Sequence, residues 1–259
     1  MSGLKVSTDD RVTRIVFDRP RALNALSPST LSELIDVCAD LEKNDAVRVV
    51  VFTGAGSCFS AGADLPAFLP FLSGPEAKAT ADLGRRTTNA IAELPQITVA
   101  GIRGHCIGGG LVLAGACDIR IAANDARFMI PELGAGIPLG WGAMEHLVRL
   151  VGETLVADLV LSGRPFAAEE ALRGGLVSRV VPTDRLDAEL EGLVATIAHK
   201  PEIVLRITKQ QILAIRDGRF DAREDAEALL SSLRDPEALQ AGSDYIARRL
   251  RRNDGAGPR

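Results

Sequence analysis

VAGIRGHCIGGGLVLAGACDI, residues 99–119, is the stretch whose reading decides the fold. A strand-like run enters three consecutive glycines, Gly108 to Gly110, which open an apolar helical pattern. Such a junction presents bare backbone N–H groups to an anionic oxygen. The first turn of a helix has unpaired donors and the positive end of its dipole, and glycine lets a ligand come close to the main chain. For a triple glycine standing alone, a tight strand-to-helix turn packed on a neighbour is the simpler reading.

A second glycine-rich stretch changes that balance. Val49 to Thr53 has the composition of a buried strand and runs into GAGSCFSAGADL, Gly54 to Leu65, so two strand ends offer backbone donors. FSAGADL (Phe59 to Leu65) and GHCIGGG, with Ala116-Cys117-Asp118 beyond it, together resemble the paired signatures of the crotonase superfamily, the enoyl-CoA hydratases and isomerases. The pairing is far more specific than either piece alone. The likeness runs from about Arg11 to Pro182 and more loosely into the C-terminal helices, with IPLGWGA (137–143) and GLVSRVVP (175–182) as landmarks.

Composition agrees without identifying. A chain of 259 residues, 46% hydrophobic and 25% charged, is long enough for one large core or a core with an appendage. A net charge of −4 argues against a general nucleic-acid binder. MSGLKVSTDDR lacks an apolar signal region, and no run reaches the ~18 apolar residues of a membrane span, so no membrane association is expected and a cytoplasmic location is the default. Four cysteines, at 38, 58, 106 and 117, without CxxC spacing, point to no metal or disulfide framework. Cys106 beside His105 is a poor nucleophile–base pair, because neighbours on a strand face opposite ways. Gly54-Ala55-Gly56 does not open a dinucleotide site, since Phe59 holds the third glycine position.

Arg11 to Asp18 alternates as a half-buried strand, and Ser27-Pro28 opens a helix with a capping hydroxyl and an N1 proline. Leu31, Leu34, Ile35, Cys38 and Leu41 share one face of that helix. Strands at Val47 to Thr53, Gln96 to Arg103, Ile119 to Ala122 and Arg127 to Ile130 complete an alternation that indicates an α/β architecture. The resemblance implies a crotonase, ClpP-like spiral of ββα repeats over residues 1–195. It also implies a helical region over 196–259 that builds homotrimers, often dimers of trimers, and lids the pocket. Arg251 to Arg259 is expected to fray, and the arginine-rich run from Arg248 to Arg252 to be a solvated helix end.

Chemistry at the α-carbon of a thioester needs an enolate-like oxyanion held by fixed donors. The resemblance implies that the backbone N–H groups of Ala63 and Gly109 supply them and that Glu132, in IPEL fourteen residues after Asp118, carries the proton. A carboxylate among apolar groups has its pKa raised, towards the range useful with a carbon acid.

The first glutamate of the two-glutamate hydratases falls two residues past the triple glycine, where this chain has Val112. Valine holds no water. Hydration divides its work between two carboxylates, whereas one suffices to move a double bond from C3 to C2. Ile137 to Trp141 partly resembles the bulkier aromatic run of single-glutamate isomerases, although Gly140 is hydratase-like. The expectation is therefore a 3-enoyl-CoA to 2-enoyl-CoA isomerase of fatty acyl-CoA metabolism. An enoyl-CoA hydratase is the alternative, and a non-catalytic acyl-CoA-binding protein is the alternative of another class. Glu145 becomes a second carboxylate if its helix turns it inward, whereas Asp64 and Asp118 have the look of structural residues.

Coenzyme A is implied as part of the substrate, with no other cofactor. Its contacts are implied at Arg21 and Ala22, at Ala61, Asp64 and Leu65, and at Gly108 and Gly140. Lys209 is a candidate phosphate contact, with a solvated helix face the simpler role.

Overall fold

A computed structural model describes residues 3–254, with side chains through Arg249. The chain opens with β1 (Leu4–Asp9) and β2 (Val12–Phe17), paired antiparallel across a two-residue turn in which Asp10 has φ +49°. Then follow α1 (Pro28–Glu42), β3 (Val49–Gly54), α2 (Leu65–Phe68), α3 (Ala77–Ala92), β4 (Ile97–Ile102), β5 (His105–Ile107), α4 (Gly109–Ala116), β6 (Ile119–Ala123) and β7 (Arg127–Met129). After these come α5 (Ala143–Val151), α6 (Glu153–Ser162), β8 (Phe166–Ala167), α7 (Ala168–Arg173), β9 (Arg179–Val181), α8 (Leu186–Ala198), α9 (Glu202–Arg216), α10 (Asp225–Arg234) and α11 (Pro236–Asp254).

A six-stranded sheet runs β1-β2-β3-β4-β6-β9, parallel from β2 onward, and a small sheet runs β5-β7-β8. Val49 to Phe52 are all buried, as a central parallel strand covered on both faces requires. From β2 to β9 the parallel strands alternate with helices that lead back to the sheet, which makes the turns of the spiral. Helix α1 begins as its sequence dictates, with the Ser27 hydroxyl accepting from the Thr30 N–H (3.2 Å) and Pro28 in the first turn. Leu31, Leu34, Cys38 and Leu41 are buried, and the helix packs on α3.

Two polar ties hold the strand ends that matter for the site. Asp118 accepts from the Thr98 N–H (2.8 Å) and hydroxyl (3.0 Å), fixing the start of β6 to β4. The buried Arg120 guanidinium donates to the carbonyls of Cys117 and Leu176, so a cation sits against the C-terminal end of α4 where its dipole is negative.

The residues up to Val194 and those from Ala195 onward form two compact units. In the second, α9, α10 and α11 pack on one another, and Gln211 Nε2 donates to Asp225 (3.1 Å). The structure departs from the sequence reading at three places. β1 is a strand although its alternation is too polar to announce one. Pro66 to Arg86, where the sequence announces no element, divides between α2, a 3-10 turn and α3. Arg251 to Asp254 continue α11 rather than fray, and residues 255–259 lie outside the described region.

Buried Asn24 (φ +57°) locks the crossing between β2 and the loop after β3, its Nδ2 donating to the carbonyls of Ala55 (2.9 Å) and Cys58 (2.8 Å) and its Oδ1 accepting from the Arg19 N–H (3.0 Å). Asn24→Ala strips partners from buried carbonyls and puts alanine in the left-handed region. It is expected to cost about 2–3 kcal/mol in urea unfolding. A loss under about 1 kcal/mol would mean that water replaces the amide.

Candidate active site

Both glycine segments end at one place. The Phe59 to Asp64 stretch runs between two partners. On one side it extends the small sheet, with the Ser60 N–H donating to His105 (3.0 Å) and the Ile107 N–H to Ser60 (3.0 Å). On the other it pairs with Leu23 to Leu26, through the Ala61 N–H to Leu23 (2.9 Å), Leu26 to Gly62 (2.8 Å) and Asp64 to Leu26 (2.9 Å). Because Leu26 bonds to the residues flanking Ala63, the Ala63 N–H points away from that ladder. Gly109, the first residue of α4, has an N–H that no intrahelical carbonyl can reach. A Cβ built on Gly62 would lie 3.4 Å from the Gly109 nitrogen, so the two donor segments are in contact. Among the described residues neither N–H meets an acceptor.

Each glycine of the triplet meets a different neighbour. A Cβ on Gly108 (φ +47°) would come within 2.6 Å of Glu132 Oε1; one on Gly109, within 2.3 Å of the Trp141 indole; one on Gly110, within 2.8 Å of the Ser60 Cβ. Any side chain there would expel one of these groups.

Glu132 stands at the start of a 3-10 turn that ends at Ala135, and its carboxylate leans over Gly108. Its Oε2 is shut away from solvent with no hydrogen-bond partner. Burial raises its pKa above the ordinary 4.5, against a weaker opposing hydrogen bond from its own backbone N–H. The other candidate carboxylates are committed elsewhere. Asp64 pairs with Arg19 (2.8 Å) and caps α2 through the Ala67 N–H (3.3 Å). Asp118 is held by Thr98. Glu145 is exposed and bonded to Arg149 (2.6 Å), so its helix turns it outward. Val112 is buried among apolar residues of α4. Cys106 is fully buried and its thiol pKa is pushed well up by desolvation, which suits packing and not nucleophilic attack.

Trp141 is the contact that sequence reasoning missed. Its backbone is left-handed (φ +61°), and its indole lies between Gly109 and Gly84 of α3, where a Cβ would meet three ring carbons at 2.1 Å. The Phe68 ring is 6.3 Å away, tilted by 40°. The available signal was an unusual helical glycine, Gly84, in the same chain as a single tryptophan, and nothing in the spacing joins them.

Arg21 and Ala22 are exposed on a 3-10 turn, Pro20–Ala22, beside the Leu23 carbonyl that receives the Ala61 N–H. Leu65 is exposed at the first position of α2, and Gly140 is exposed with open space beside it. Lys209 is not on a solvated face: it is buried and partnered in α9. Among the described residues no group of His, Cys, Asp and Glu could hold a metal ion, and no helix is long and apolar enough to cross a membrane.

The ββα spiral with two convergent backbone donor segments defines the crotonase class. A Thermobifida fusca protein solved in complex with acetoacetyl-CoA superposes with a TM-score of 0.80 at 30% identity, covering 94% of this chain and 96% of that one. The enoyl-CoA hydratase/isomerase family model matches residues 7–246, and this chain belongs to that family, enzymes of fatty acyl-CoA metabolism. It is 36% identical over 202 residues to the crotonyl-CoA hydratase of Syntrophomonas wolfei (78% of this chain, 77% of that one). It is 33% identical over 224 residues to the human mitochondrial Delta(3,5)-Delta(2,4)-dienoyl-CoA isomerase (82% and 68%).

The unpartnered oxygen of Glu132 carries a stability signature. With the folded pKa raised, the protonated acid is the form the fold favours. That contribution is complete below the ordinary carboxylate value and is lost as pH rises through the raised one. Glu132→Gln should therefore melt higher than wild type near pH 8, with the gain shrinking as pH falls towards 4. A gain independent of pH would contradict the burial of the charge.

Proposed function

We propose that this chain moves the double bond of 3-enoyl-CoA thioesters into conjugation, giving 2-enoyl-CoA, with Glu132 as the only proton carrier. Glu132 removes a proton from C2. The electron pair flows into the thioester carbonyl, whose oxygen is held by the Ala63 and Gly109 N–H groups, and the same carboxyl returns the proton at C4. Each donor of this kind is worth ~3–4 kcal/mol to the transition state. The observation that carries the reading is that a single carboxylate leans on the glycine floor, over Gly108, while Val112 is apolar and Asp64, Asp118 and Glu145 are bonded elsewhere. Removal and return of one proton needs one such group; water addition needs an oxygen placed at C3 as well.

Coenzyme A enters as part of the substrate, as in the acetoacetyl-CoA complex of the Thermobifida fusca neighbour. Exposed Arg21 is assigned to its phosphates, and the main chain from Ala61 to Leu65, with Gly108, to its pantetheine and thioester. The hydratase reading is favoured by the name of the Syntrophomonas relative, and the assay below separates the two.

The C-terminal unit, from about residue 196, is assigned to assembly of a homotrimer or a dimer of trimers. Val204, Ile212, Ile215, Phe220, Leu229 and Leu233 stand exposed on α9, α10 and the turn between them, the kind of apolar surface that marks an interaction site.

Incubation with a 3-enoyl-CoA should raise the absorbance of a conjugated thioester, and Glu132→Gln should lower that rate by ~10²–10⁴-fold while acyl-CoA still binds. The base must be ionised to act, so kcat/KM should fall as pH drops through a value above 4.5. Water gain from trans-2-enoyl-CoA without migration would favour the hydratase, and binding without turnover the non-catalytic reading. Leu229→Asp with Ile215→Asp should shift the light-scattering mass towards the monomer; an unchanged mass would remove these residues from the interface.

A further inference from the structure

We infer that Trp141 is the specificity-determining residue of this site: its indole, wedged between Gly84 and Gly109, fills the space that a reacting water would occupy and commits the site to proton relocation. The inference rests on the single-carboxylate reading above and adds what enforces it.

Absence of a second carboxylate does not by itself keep water out. A pocket lined by main-chain donors and one glutamate still admits water, and an enoyl thioester beside a hydrated carboxylate is open to addition at C3. Something must occupy that volume. The indole sits where it can. Its six-membered ring lies on the Cα of Gly109, one residue from the glycine on which the Glu132 carboxylate rests, so base and indole occupy consecutive residues of one floor. Its five-membered ring lies under Gly84, with Cγ, Cδ1 and Cδ2 all 2.1 Å from where a Cβ would be. The Phe68 ring packs beside it. An indole held against glycines at both of its rings has little freedom to swing aside. Glu132 Oε2, on the same floor, makes no hydrogen bond and meets no solvent.

The left-handed backbone of Trp141 points the same way. Most side chains pay strain at φ +61°, and here the strain is carried by the residue whose ring enters the site. Water addition would place an oxygen on C3 and a proton on C2. Migration only carries a proton from C2 to C4, and Glu132 does that with no volume beyond its own.

Gly84 offers a second handle on the same wedge. It is helical with ordinary φ, so alanine is tolerated by the backbone, yet its methyl must displace the indole at the edge opposite Gly109. Trp141 is the only tryptophan in the chain, so its emission reports the displacement directly.

The test compares full-length wild type, Trp141→Phe, Trp141→Ala and Gly84→Ala on 3-enoyl-CoA and trans-2-enoyl-CoA in ¹⁸O-water, counting migrated and hydrated products by mass. Trp141→Ala and Gly84→Ala should raise the ratio of hydration to migration roughly tenfold or more. Trp141→Phe should keep the wild-type ratio, and the emission of Gly84→Ala should shift to the red. Whichever of the two disruptive variants folds, by circular dichroism, decides. A folded variant with the wild-type ratio overturns the role of Trp141 and leaves the isomerase reading standing. A wild-type protein that hydrates without migrating the double bond, or does neither, overturns that reading and this inference with it.

Discussion

Close approach to the main chain at Gly108, Gly109 and Gly110 is the constraint on which the rest of the structure depends. Three consecutive Cα positions carry three unrelated neighbours: a carboxylate, an indole and a serine of the other donor segment. A methyl group at any of them would lie under 3 Å from its neighbour, a separation that side chains do not adopt. The short helix α4 is thereby seated with its first amide beside Gly62, and the two glycine segments, more than forty residues apart in sequence, share one floor.

Holding a carboxyl group over that floor with one oxygen unpartnered is unfavourable, because an ionised carboxylate removed from water without donors loses hydration that nothing replaces. The surroundings offset this with ties placed away from the reacting region. Asn24 fixes the loop after β3, Arg19 bridges Asp64 and the Ala25 carbonyl, and Asp118 fastens β6 to β4. The carboxylates and amides in these ties are thus satisfied, whereas Glu132 Oε2 is buried without a partner. Such an exception is what a proton carrier requires, since a carboxylate already saturated with hydrogen bonds is a weak base.

The glycine stretches pointed to the fold through the family they resemble, since backbone donors leave their mark as missing side chains at fixed places after strands. Glu132 was singled out only through the family resemblance, at its step from Asp118, and its position over Gly108 is what the structure adds. What the sequence left obscure depends on orientation. Glu145 could have faced either way on α5, and its pairing with Arg149 follows from a helix phase set by the left-handed Trp141 and Gly142 before it. Lys209 looked like a solvated helix lysine, and its burial depends on packing that local periodicity does not encode. The wedge of Trp141 between α3 and α4 joins residues 84, 109 and 141, and no local pattern can announce a contact among three separate elements. β1 was hidden because an edge strand with one neighbour can be mostly polar.

An anion held by main-chain N–H groups does not depend on which side chains surround it. Binding and activation of the thioester can then persist while the reaction is redirected by a few positions around the acyl group. Here three such positions stand out: Val112, which brings no second carboxylate; Glu132, which brings the first; and Trp141, which takes up volume beside it. Their effects are not additive. A second carboxylate at 112 has no water to activate while the indole fills the space, and removing the indole admits water that one carboxylate alone must both orient and deprotonate. In the reading proposed above, the two departures from a hydrating site therefore reinforce each other, and reversing both should do more than the sum of reversing each alone.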